Sequence, residues 1–273
     1  ASEAVARLMQ TERAGRFATL FHESASLSEA DKWLRTLKHK QLEGKQPAAQ
    51  TLEAVLELFN DEFLPNCLVV DRVDSDGLWL KDREGQMLSW AGISDGYRSA
   101  LALLTDILRH LINHYGLDGL TARDAEGRLF ITRKGVVLID EIDAHLHPEW
   151  QREIGFWLKK RFPNIQFIVT SHSPLICQAA DPNGLFVLPE PGSDEPARAL
   201  TAEEYQKVIS SRPDTILRSA AFGLQNTRSP VAVAARSAFA DLRTKQRAGG
   251  KLTQAELVEL ERLRQYINPD EEP

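Results

Sequence analysis

Two adjacent carboxylates, Asp140 and Glu141, close the apolar run Val136-Val137-Leu138-Ile139. At the tip of a β-strand such a pair points to different sides, so one group can hold a hydrated Mg2+ while the other polarises a water. A second apolar run, Ile165 to Val169, leads into Thr170-Ser171-His172-Ser173-Pro174. If the two runs are neighbouring parallel strands, their carboxyl ends meet where α/β proteins bind ligands. His172 then reaches the same ligand, donating to a phosphate oxygen and orienting an attacking water. Taken separately, the acidic pair reads equally well as a strand ending in a turn, and His172 as a turn or cap histidine. Their pairing favours chemistry.

A third piece is Gly92-Ile93-Ser94-Asp95-Gly96-Tyr97-Arg98. It stands at the start of a long apolar-periodic segment, where a helix N-terminus presents unpaired N–H groups to an anion. Gly96 permits close backbone approach and Ser94 adds a hydroxyl. Asp95 opposes an anion unless it turns away or caps the helix. The plainer reading of the same residues is a Ser/Asp cap after a turn.

The elements that position these groups follow from periodicity. Ser28-Glu29-Ala30-Asp31 has the form of a capping box ahead of Trp33, Leu34, Leu37 and Leu42, which predicts an amphipathic helix ending near Gly44. Ala48 to Phe63 repeats the pattern up to Pro65. Short β-prone runs over 67–73, 77–81 and 87–90 are separated by Asp74-Ser75-Asp76-Gly77 and Arg83-Glu84-Gly85, which predicts an antiparallel meander. Ser94 to Tyr115 has helical spacing and Gly116 as its stop. Gly135 to Asp140, Pro148 to Phe162 and Ile165 to Thr170 form a βαβ unit whose strands read as buried on both faces. A Pro- and Gly-rich stretch over 181–197 marks a boundary, and a mostly helical tail follows.

The 273 residues carry 33 Lys+Arg against 39 Asp+Glu, a net charge of -6, which argues against a surface given over wholly to phosphate binding. The densest basic candidates for nucleic acid are Lys159-Lys160-Arg161 and Arg243-Thr244-Lys245-Gln246-Arg247, both on helical patterns. No apolar run approaches the roughly 20 residues of a membrane span. Ala1 to Arg7 has neither a basic nor an apolar leader region, so a cytoplasmic protein without membrane contact is expected. Cys67 and Cys177 sit in apolar neighbourhoods and read as buried, reduced packing residues.

At this point the motifs carry a resemblance. Ile93-Ser94-Asp95-Gly96-Tyr97-Arg98-Ser99 resembles an ABC signature motif, and Val136 to Glu141 a Walker B. Ile142-Asp143-Ala144-His145-Leu146-His147-Pro148 is similar to a D-loop, and Ile168 to Pro174 to an H-loop. Four motifs in this order over Gly92 to Pro174 resemble the ABC-like ATPases grouped with SMC, RecF and overcoming-lysogenization-defect proteins. The Ser-Asp-Gly-Tyr-Arg-Ser flavour is similar to the stand-alone Septu and retron anti-phage defence ATPases. Arg16 to Phe21, Trp33-Leu34 and Ile216 to Gly223 share that flavour weakly.

The resemblance implies an α/β fold, a P-loop NTPase parallel sheet with flanking helices. Periodicity gives a helical segment over 1–65, antiparallel strands over 66–91 and a mostly helical C-terminal tail over 191–273, and the resemblance implies an ATPase lobe over 92–190. It further implies a homodimer that sandwiches ATP and Mg2+ between protomers and controls an effector such as a nuclease. Carried over to this chain, Asp140 helps bind Mg2+, Glu141 is the catalytic base and His172 senses the γ-phosphate. Ser94 and Gly96 touch the partner's nucleotide, and Asp143 lines the dimer interface.

One departure stands out: no Gly-x-x-x-x-Gly-Lys-Ser/Thr loop occurs, since Gly44-Lys45 is followed by Gln46 and Gly250-Lys251 by Leu252. The Q-loop glutamine likewise has no counterpart. The expectation is that residues beyond this segment supply the Walker A loop and complete the sheet. Two other readings stay open. One is a metal-dependent hydrolase built on Asp140, Asp143, His145, His147 and His172. The other is a non-catalytic interaction module whose tail over 201–273 recruits an effector.

Overall fold

The computed structural model describes residues 23–267. The Arg16 to Phe21 stretch lies outside them. The chain divides into two compact units, Ala1–Ser210 and Ser211–Pro273.

In the first unit, α1 (Glu23–Leu42) packs against α2 (Gln46–Phe59), α3 (Asp95–Tyr115) and the strands of a meander. α1 begins several residues before the expected Ser28 cap, so Ser28 lies inside the helix and caps nothing. The meander runs β1 (Val69–Asp74), β2 (Gly77–Lys81) and β3 (Met87–Ser89), antiparallel in that order. Its turns fall where the Asp/Gly clusters place them. α3 buries Ala100, Leu101, Leu104, Leu108 and Leu111 along one stripe, as its spacing requires. It stops at Gly116, whose φ of +72° suits a residue without a Cβ. The turn-rich stretch after it holds a hairpin that periodicity does not predict, β4 (Thr121–Arg123) and β5 (Leu129–Ile131).

β6 (Gly135–Ile139) and β7 (Ile165–Val169) pair in parallel across α4 (Pro148–Arg161), with Val136 opposite Gln166 and Leu138 opposite Ile168. This is the βαβ unit. Its strands differ from the expectation of burial on both faces. Ile139 and Ile165 are buried and Val137 and Phe167 half-buried, whereas Val136, Leu138 and Ile168 are 61%, 46% and 52% exposed. Side chains alternate across a strand, and only one face of this pair is covered by the core. A continuous apolar run therefore records a strand's composition and not which of its faces are covered.

Beyond β7, the short helix α5 (Pro174–Cys177) leads to a small pair, β8 (Phe186–Val187) with β9 (Arg198–Ala199), and to α6 (Ala202–Ser210). The Tyr205 hydroxyl donates to the Ala180 carbonyl at 3.0 Å, so α6 belongs to the first unit. The second unit holds α7 (Pro213–Leu217), α8 (Pro230–Arg247) and α9 (Gln254–Arg264). Ala235, Phe239, Leu263 and Ile267 form its apolar seam. A Thr253–Glu256 capping box starts α9.

The basic run at the end of α4 does not form a patch. Arg161 is 1% exposed and pairs with Asp61 and Asp124, while Lys159 pairs with Asp181. On α8, Lys245 pairs with Glu256 and the Arg243 guanidinium lies over the Phe239 ring. Among the described residues, no helix is long and apolar enough to cross a membrane.

Cys67 departs from its expected burial and is exposed, on a loop where Asn66 and Cys67 both take left-handed φ values. Cys177 is half-buried. Burial, with the nearby Asp143 charge, pushes its thiol up to about 11, so the reactive thiolate is scarce at neutral pH. Iodoacetamide at pH 8 is expected to alkylate Cys67 quickly and Cys177 only after unfolding. Peptide mass spectrometry checks this, and equal labelling of both would contradict it.

Candidate functional site

Parallel pairing brings the carboxyl ends of β6 and β7 side by side, and hydrogen bonds extend the pairing into the loops. Thr170 N–H donates to the Ile139 carbonyl at 3.0 Å, and Ile142 N–H to the Thr170 carbonyl at 3.1 Å. The Thr170 hydroxyl then serves both acidic residues: it donates to Asp140 Oδ1 and accepts from the Glu141 N–H at 2.8 Å. Both carboxylates are exposed, and no cationic side chain among the described residues pairs with either. Glu141 takes φ +48°, a conformation a non-glycine residue adopts only when its surroundings hold it.

The loop between β6 and α4 is held on several sides. Ala144 N–H donates to the Glu141 carbonyl at 2.8 Å, and His145 takes φ +61°. Asp143 Oδ1 accepts from the Ser171 hydroxyl and from the His172 N–H, the latter at 3.3 Å. From α4, Gln151 Nε2 donates to the Leu146 carbonyl at 2.8 Å and to that of Asp143 at 3.3 Å, while its Oε1 accepts from the Ser173 hydroxyl at 2.7 Å. Gln151 thus ties the acidic loop to the β7 tip. His172 itself is exposed, its backbone anchored and its imidazole at the surface.

The start of α3 meets the same loop. Gly96 lies so close to the His145 carbonyl oxygen that a Cβ would overlap it. Tyr97 packs on Trp150 of α4 with centroids 5.4 Å apart, and Asn66 Nδ2 donates to the Tyr97 hydroxyl at 2.9 Å. Asp95 is turned into an ion pair with Arg98, one turn along α3. That removes the charge conflict expected of an acidic residue beside an anion. Ser94 is exposed at the N-cap position, and its side chain accepts no capping hydrogen bond.

Asp140, Glu141, Asp143 and His172 are therefore brought to one cluster of loops, with Gly96 packed against it. The five-residue metal cluster of the hydrolase reading is not assembled. Among the described residues, no three His, Cys, Asp or Glu side chains gather in a way that would hold a metal ion. His147 instead caps α4, its Nδ1 accepting from the Glu149 N–H at 3.4 Å. Sequence reading assigned no role to Thr170, Ser171 or Gln151. A Thr-Ser pair directly before the histidine was a usable signal for two of them. Gln151, four residues after His147 on the first turn of α4, had no signal of its own.

An exposed carboxylate at a strand tip, neutralised by no cation among the described residues, is the hard oxygen donor that Mg2+ takes alongside substrate phosphates, and Asp140 fits that part. A single protein carboxylate leaves most of the coordination to phosphate and water.

Residues 7–178 match the family described as "AAA domain, putative AbiEii toxin, Type IV TA system". The protein named "Retron Ec83 probable ATPase" from Escherichia coli is 37% identical over 157 residues, 57% of this chain and 27% of that protein. Septu protein PtuA from Bacillus mycoides (strain KBAB4) is 34% identical over 191 residues, 66% of this chain and 25% of that protein. The chain thus spans about a quarter of the length of these curated relatives. A chain from a study of ATP-driven dimerization and DNA-stimulated activation of SMC ATPases aligns with 59% of this chain and 91% of its own length, at a TM-score of 0.40 and 19% identity.

Proposed function

We propose, because this chain belongs to the AAA-domain family matched over residues 7–178 and so has a P-loop NTPase α/β fold, that it is part of an ATP-hydrolysing subunit of a bacterial anti-phage defence system. The observation that carries the reading is the Thr170 hydroxyl fixing Asp140 and Glu141 at one strand tip, beside the anchored His172. The names of the retron and Septu relatives support it. In this reading ATP and Mg2+ are bound between two copies of the subunit, and an effector such as a nuclease reads the nucleotide state.

Asp140 would hold the Mg2+, which neutralises charge on the phosphates when bound. The remaining work belongs to this chain's own groups. Glu141 polarises the attacking water, its position set by the Thr170 hydroxyl and by a left-handed backbone. His172 donates to the γ-phosphate. Ser94, its hydroxyl uncommitted to the helix cap, and the N–H groups at the start of α3 face the nucleotide of the partner subunit. Asp95 is kept from that anion by Arg98.

The test is phosphate release by the full-length polypeptide containing this segment, with and without Mg2+. Release is expected to require Mg2+ and to fall to background in Asp140→Asn. Hydrolysis by that variant at the parent rate would sink the proposal.

A further inference from the structure

Asp143 belongs to the motif expected to face a second subunit, yet its carboxylate is committed within its own chain. One oxygen, Oδ1, accepts from both the Ser171 hydroxyl and the His172 N–H. Ser171 in turn accepts from the Ser173 N–H at 3.0 Å. The loop carrying Asp143 cannot drift away from these bonds, because Gln151 grips it at two carbonyls and the start of α3 abuts it at His145. From this arrangement we infer that Asp143 is a positioning residue for His172. It fixes the 171–173 backbone so that the imidazole stays at the strand tips occupied by Asp140 and Glu141.

The inference rests on the ATPase reading for its catalytic consequence, and on the hydrogen bonds alone for its structural one. Its distinguishing feature is that the interaction needs an acceptor and not a charge. Asparagine presents the same Oδ1 acceptor, whereas alanine presents none. A charge acting across a subunit interface would be lost equally in both. Misplacement of a reacting group by about 1 Å costs on the order of 10²-fold in rate.

The experiment compares Asp143→Ala and Asp143→Asn in the full-length polypeptide, reading kcat and KM for ATP together with amide hydrogen exchange at His172 and Ser173. In Asp143→Ala, kcat is expected to fall about 10²-fold with KM little changed, and exchange at His172 to accelerate. In Asp143→Asn, both are expected to stay close to the parent. The inference is overturned if Asp143→Ala turns over ATP at the parent rate, if its His172 exchange is unchanged, or if the two variants lose activity equally. Absence of turnover in the parent would sink the ATPase reading instead, and the exchange rates would still decide whether Asp143 holds His172.

Discussion

Glu141→Gln in the full-length polypeptide is expected to lower ATP turnover by about 10²–10⁴-fold, the usual contribution of a positioned general base. Glutamine has the same length and shape, and the Glu141 contact with Thr170 is made by the backbone N–H, which the change leaves in place. Asp140 keeps its hydroxyl donor, and the groups proposed to bind nucleotide are untouched. What disappears is the carboxylate proposed to polarise water. Loss of a transition-state interaction alone lowers kcat without raising KM. The variant should therefore still bind ATP and, in the proposed arrangement, accumulate as an ATP-bound dimer. Phosphate release and size-exclusion chromatography with ATP check the two parts, and turnover at the parent rate would contradict the assignment.

The largest expected effect on stability lies far from that loop. Arg161 is 1% exposed at the end of α4 and pairs with Asp61, after α2, and with Asp124, in the β4–β5 turn. Three separated stretches of chain meet on one guanidinium. Arg161→Met leaves the Asp61 carboxylate, 12% exposed, without its paired cation, whereas Asp124 keeps Arg128 at 3.3 Å; breaking a buried pair in this way costs about 3–5 kcal/mol. In a unit of this size that lowers Tm by on the order of 10 °C. Adding Asp61→Asn to Arg161→Met should restore part of the loss, because the uncompensated charge goes with the partner. Thermal unfolding followed by circular dichroism reads both. An Arg161→Met variant as stable as the parent would show that the network contributes little.

Much of the cluster was legible because it is local in sequence. An apolar run ending in Asp140-Glu141, another ending ahead of His172, and a helix beginning with Pro148 together fix a parallel pair whose tips coincide. α3 was equally plain, since one apolar stripe runs from Ala100 to Leu111 and a glycine ends it. Illegible features depended on what covers what. Val136, Leu138 and Ile168 are exposed because nothing among the described residues covers that sheet face, which no periodicity reports. Lys159-Lys160-Arg161 looked like one basic surface, although Arg161 points inward at helical spacing while Lys159 finds Asp181. The intrachain grip on Asp143 was hidden for another reason. Its partners lie 28 and 29 residues away, in a loop whose approach only the strand register determines.

The overlap that any Cβ at position 96 would make with the His145 carbonyl has an evolutionary corollary. The two segments meet backbone to backbone, so position 96 admits only glycine while the His145 carbonyl holds its place. A chimera that imports a 92–99 stretch with a larger residue at position 96 while retaining 141–147 would inherit a mismatched seam. Grafts that transfer both stretches together should be the ones that survive recombination.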